Sequence, residues 1–145
     1  MDWKLEAAEK LRLYEAKKQA LRSIPGEIAR LESELRSIRS ATADGTPVKG
    51  GGSRREDRML SNIVHREELE RALEQAKVWV ALVDAGLKIL SREERQILDR
   101  FYIYPEKGAA DRLAGDLMVD VKTVYRRKDA ALRHFTVCLY GLSES

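Results

Sequence analysis

From Arg58 to Leu90 the chain runs without a proline, and Met59, Ile63, Leu69, Leu73, Ala76, Val80, Val83 and Leu87 keep a helical period. At 1.5 Å per residue such a helix would be roughly 45–50 Å long. That is too long for one small globule in a chain of 145 residues. The run therefore predicts a helix that bridges an extended N-terminal helical unit and a C-terminal globule. Outside residues 41–57, Ala, Leu, Glu, Lys and Arg dominate, which is helix composition. An all-β fold is excluded, and an all-α one is expected.

Upstream, Asp2 to about Ser23 carries Leu5, Ala8, Leu11, Ala16 and Ala20 among alternating charges, a helical rhythm. Ile24-Pro25-Gly26 predicts a break, because the residue before proline is pushed out of the α region. A second run then spaces Ile28, Leu31, Leu35 and Ile38 by three, four and three. This stripe has coiled-coil width and is flanked by Glu27, Arg30, Glu32, Glu34 and Arg36. A stripe so narrow must pack on another helix, and the Met59-to-Leu90 run is the expected partner in an antiparallel hairpin. Met1 to Ser23 is expected against the same bundle. Apolar surface left over on such charged helices could be covered by a second copy, so a homodimer is expected.

Between the two runs, Ala41 to Asp57 reads ATADGTPVKGGGSRRED, with no periodicity. A long flexible loop at the hairpin tip is expected there. Its Lys49 precedes the glycines and a helix lies upstream, so the phosphate-loop pattern of strand, glycines and lysine is not met. Arg54 and Arg55 at its end could touch a polyanion.

The C-terminal third carries the sharper signals. Ser91-Arg92-Glu93-Glu94 is a capping-box pattern. The helix it opens bears Ile97, Leu98 and Phe101 and must stop before Pro105. Ala109 to Leu117 fits a short helix. Asp120 is a good N-cap for a last helix running to about Tyr140, with Gly141 as its stop. The predicted organisation is a helical arm over 1–90 and a C-terminal domain over 91–145.

Two helices joined by a tight turn are generic, so the residues inside must be tested. Ala114 is small where the helices would cross, Leu117 and Val119 flank the turn, and Val124 is β-branched on the inner face of the second helix. This is the pattern of a helix-turn-helix, whose second helix lies in the major groove of DNA. Steps of 100° put Val121, Val124, Leu132, Phe135 and Leu139 inward and Lys122, Thr123, Arg126, Asp129 and Arg133 outward, with Arg127 on a flank. From Val121 to Phe135 five basic residues face one acid, Asp129, although the whole chain carries 27 basic and 24 acidic residues. That local excess is an electrostatic footprint for nucleic acid. Residues early in a recognition helix approach base edges, which assigns base contacts to Lys122, Thr123 and Arg126. Arg127, Lys128 and Arg133 are then expected on phosphates.

These same residues carry a resemblance. Ser91 to Gly141 resembles the fourth region of bacterial sigma factors. There LSREERQILDRFY is similar to the helix before the helix-turn-helix, and RLAGDLMVDVKTVYRRKDAALRHF to the helix-turn-helix itself. The match includes Thr123-Val124 and Ala131-Leu132-Arg133. Nearly the whole chain, with its DGTPVKGGGSRRED segment, resembles phage and prophage late transcription regulators of the RinA and ArpU kind. The resemblance implies a DNA-binding regulator in the cytoplasm of a bacterial host, with double-stranded DNA as partner and RNA polymerase as a second one. One position departs from it: Met118 stands where the turn usually has glycine, and a bulky residue at positive φ is costly. Either another turn geometry or compensating packing of Met118 is expected.

Other chemistries find little support in the residues. Cys138 is the single cysteine, so a disulfide framework and a cysteine-based zinc site are excluded. It falls near the inner face of the last helix, as a buried apolar filler. His65 and His134 have no metal-ligand neighbour at helical spacing. No paired carboxylates or Ser-His-Asp set mark an enzyme, and no cofactor or metal is expected. No stretch reaches the ~20 apolar residues of a membrane span, and the N-terminus lacks a signal-peptide core. Promoter melting needs aromatics to capture unstacked bases, and here they are 6% and scattered. An activator is therefore expected in place of a stand-alone sigma factor. Two alternatives share the composition: a small terminase-like DNA-recognition protein, and a helical anti-sigma or scaffold protein.

Overall fold

The computed structural model describes residues 1–41 and 51–142. It is all-α among them: α1 (Trp3–Arg12), α2 (Tyr14–Ser40), α3 (Gly51–Ile89), α4 (Arg92–Leu98), a π-helical turn (Asp99–Ile103), α5 (Ala109–Leu117) and α6 (Val121–Tyr140). Most of the expected 41–57 loop lies outside the described residues. Its far end, 51–57, is instead the start of α3. Arg54, Arg55, Glu56 and Arg58 are good helix formers and carry the helix upstream of Met59.

The first break also lies elsewhere. Helix α2 continues through Pro25, and the interruption falls instead at Leu13 (φ −95°, ψ 0°), between α1 and α2. Ile24 and Leu31 are buried on either side of the proline, so packing overrides the local preference. Pro25 and Gly26 are exposed, where water can serve the carbonyl that proline leaves without a donor.

The chain divides into two compact units, Met1–Lys17 with Val78–Ser145, and Lys18–Lys77. This differs from a division at residue 90. The first unit recruits α1 and the end of α3 into the same core as α6. Ala7, Ala8, Leu11 and Tyr14 bury against Val83, Leu87, Leu98, Tyr102, Ile103, Ala131, Leu132 and Phe135. So α1 packs on α6 and the π turn, and on the end of α3. Its buried stripe is Ala7, Ala8 and Leu11, while Leu5 is exposed. Trp79 donates its indole N–H to the Lys10 carbonyl at 3.0 Å, and the Trp3 and Tyr140 rings meet at 4.9 Å, tilted by 46°. Helix α3 can approach α6 because position 86 is glycine. A Cβ there would sit 2.9 Å from Phe135 Cε1 and 3.0 Å from Leu139 Cδ2.

The second unit is thinner. Leu31, Leu35, Ile38 and Ala76 are buried, and Ile28, Met59, Ile63, Leu69 and Leu73 are half-buried. Asn62 on α3 is buried too and donates from Nδ2 to the Leu31 carbonyl on α2 at 2.8 Å. Arg66 and Glu32 pair across the two helices at 3.8 Å.

Candidate nucleic-acid interface

The candidate surface is built on α6, and three local devices fix where α6 begins and how it is held. The first is the start of α4. Ser91 Oγ accepts from the Glu94 amide at 3.1 Å, and Glu94 Oε1 accepts from the Ser91 amide at 2.9 Å, a complete capping box. The two acids of this turn then reach α6. Glu93 pairs with Arg127 at 2.5 Å, and the second Glu94 oxygen meets His134 Nδ1 at 2.8 Å. Burial pushes the Glu94 carboxyl up, but the bonds from Ser91 and His134 outweigh it and hold it below the usual glutamate range. A depressed carboxylate contributes stability above its ordinary pKa and loses it as pH falls through the depressed one. The brace between α4 and α6 is therefore acid-labile. Cys138 lies beside it and is half-buried, not fully buried. Burial first, and the Glu94 charge second, push its thiol up.

The second device is the turn between α5 and α6. The Val119 amide donates to the Ala114 carbonyl at 3.0 Å and the Met118 amide to Gly115 at 3.3 Å. That pair of bonds is the Schellman arrangement, which needs a left-handed residue at its centre. Met118 supplies it, at φ 58° and ψ 45°. Neither expected escape is used: the turn keeps the glycine geometry, and the Met118 side chain is 90% exposed. Ala114, Leu117 and Val119 pack instead around Ile97, Leu113 and Val124, a small core of their own.

Asp120 is the third device. Its Oδ1 accepts from the Thr123 amide at 2.8 Å, and hydrogen bonds from Thr123, side chain first, hold the carboxyl below the usual aspartate range. Arg126 adds a smaller pull in the same direction.

With α6 held so, Val124 and Phe135 are fully buried, and Leu132 nearly so. Lys122 and Arg126 are exposed at its N-terminal end and have no ion pair among the described residues. Thr123 is half-buried, and its backbone amide is the one that caps onto Asp120. The other three basic residues have partners within the fold. Arg127 is held by Glu93. Lys128 lies over the Phe101 ring at 4.6 Å, with Tyr102 and Tyr125 at 5.5 and 5.6 Å. Arg133 meets Asp129 at 3.2 Å, and Asp129 also takes Lys4 of α1 at 2.6 Å. Lys4 is the main reason the Asp129 carboxyl is depressed. Sequence reasoning missed Tyr125, which is half exposed one turn after Lys122. Its spacing of three from Lys122 was the available signal.

In comparisons with known proteins, the chain matches no family, no curated relative and no solved structure. The site has to speak for itself. Among the described residues no three of His, Cys, Asp and Glu gather in a metal-holding group, and no helix is long and apolar enough to cross a membrane.

Proposed function

We propose that this protein is a sequence-specific, double-stranded DNA-binding transcription regulator, a phage or prophage late-gene activator that acts with host RNA polymerase. In this reading α5, the Met118 turn and α6 form a helix-turn-helix. The observation that carries it is the contrast along α6: Lys122 and Arg126 stand exposed and unpaired at the leading end, while the inner face is packed. Two cations at that end are donors suited to the O6 and N7 acceptors of guanine in the major groove. Lys122, Arg126 and, more weakly, Thr123 read bases. Arg133, in an exposed pair, is the readiest to exchange its partner for a phosphate, and Arg127 and Lys128 contribute on the flanks.

The test starts with a footprint across the protein's own genome neighbourhood to find a preferred site, followed by titrations on that site and on random duplex. Arg126→Ala should cost about 1–3 kcal/mol on the preferred site and little on random DNA. Equal weakening on both duplexes would remove the base-reading assignment. A packaging site in place of a promoter would favour the terminase-like alternative, and no salt-dependent DNA shift at all would favour the scaffold.

A further inference from the structure

The Lys18–Lys77 unit separates its charge along its length. Residues 35–40 of α2 and 54–60 of α3 carry Arg36, Arg39, Arg54, Arg55 and Arg58 against only Glu56 and Asp57. Residues 18–34 and 61–77 are nearly balanced, and there a cross-helix ion pair joins Arg66 with Glu32. Leu31 and Glu34 of α2 line one cleft with Asp57, Arg58 and Asn62 of α3, so the last turns of α2 and the first turns of α3 lie at one end of the pair. The excess of cations gathered at this end favours an anion lying over it. Arg36, Arg54 and Arg58 are exposed and have no ion pair among the described residues. Arg55 is half-buried, and its Nε is buried without a hydrogen-bond partner. All five cations are arginines, whose planar fork matches phosphate oxygens and is weakly hydrated.

We infer that this arginine end of the α2–α3 pair is a second, sequence-independent contact to the DNA phosphate backbone, separate from α6. The inference rests on the reading of the chain as a duplex-DNA binder and extends it to two contacts, one that reads bases and one that holds charge.

The test uses the full chain with Arg36, Arg54 and Arg58 replaced together by Gln, the same three replaced by Lys, and Arg126→Ala. Each is titrated on the preferred site and on random duplex across salt. Removing three phosphate contacts should lower the salt slope by about 2.7, so the affinity lost between about 50 and 200 mM salt shrinks by about 40-fold. Binding at low salt should weaken on both duplexes alike, leaving the ratio between them unchanged. The Lys variant should restore the slope, because it keeps the charges. Thermal melting without DNA should hold or rise in the Gln variant, since like-charge repulsion is relieved. An unchanged slope in the Gln variant overturns the inference, as does loss of the slope in the Lys variant. If Arg126→Ala leaves the ratio between duplexes untouched while the Gln variant loses its slope, the α6 reading fails and this one stands.

Discussion

The two units spend their hydrophobic residues differently. The unit containing α6 surrounds Phe135 and Leu132 with side chains from α1, α3 and the π turn, and it adds a second small core of Ile97, Leu113 and Val124 under the turn. The Lys18–Lys77 unit has one stripe, Leu31, Leu35 and Ile38, and interrupts its own interior with Asn62. On the reading proposed above, the first arrangement would fix the direction of a helix that meets base edges, and the second would only present charge to phosphates. Reading bases calls for a stiffer support than a phosphate grip does.

Core truncation is the most forceful way to break that comparison. Phe135→Ala empties the middle of the larger core and should cost about 3–5 kcal/mol. Leu35→Ala should cost about 2 kcal/mol, at the low end of such substitutions, because a two-helix stripe closes over the gap more easily. Urea denaturation of both variants measures the difference. Equal losses would mean that the two units are supported alike.

The same contrast explains which parts of the fold were legible in the residues. The start of α4 and both ends of α6 were, because Ser91, Asp120 and Gly141 act through bonds to their immediate neighbours. The inward face of α6 was legible for a similar reason, since 100° steps need no knowledge of the partner. The docking of α1 on α6 was not, because Lys4 and Asp129, or Ala7 and Phe135, meet only across the whole length of the chain. Pro25 misled because its local preference is strong and the packing of Ile24 and Leu31 that overrides it is tertiary. At the candidate site, exposure of Lys122 and Arg126 followed from periodicity. The partners that engage Arg127, Lys128 and Arg133 did not, since Glu93, Phe101 and Asp129 come from elements whose placement had to be seen.

Asn62 sharpens the comparison from the other side. One of its side-chain N–H groups has the Leu31 carbonyl, but its Oδ1 is buried with no partner. An unsatisfied buried acceptor costs more than a single bond returns. Asn62→Leu should therefore stabilise the Lys18–Lys77 unit by about 1 kcal/mol, read as a higher melting temperature. The register of α2 on α3 should become less strictly defined, because a lone buried Asn holds register at a cost in stability. A variant that melts lower would show that the Leu31 bond outweighs the orphan oxygen.

The smallest effect expected is also the one closest to the proposed DNA-facing surface. Met118 holds a left-handed conformation that costs an L-residue roughly 1–2 kcal/mol and glycine almost nothing. Its side chain is 90% exposed, so replacing it removes little packing. Part of the gain is offset because glycine loses more freedom on folding, by about 0.5–1 kcal/mol. Met118→Gly should then stabilise the protein by about 0.5–1 kcal/mol, seen as a higher urea midpoint with an unchanged slope. The Schellman bonds from Val119 and Met118 would remain, and Asp120 would still open α6 at the same residue, so the positions of Lys122 and Arg126 should not move. DNA affinity should accordingly stay the same on specific and random duplex. If the variant is more stable but binds either duplex less well, the exposed thioether itself contacts DNA, and the strain at this turn is retained for that contact.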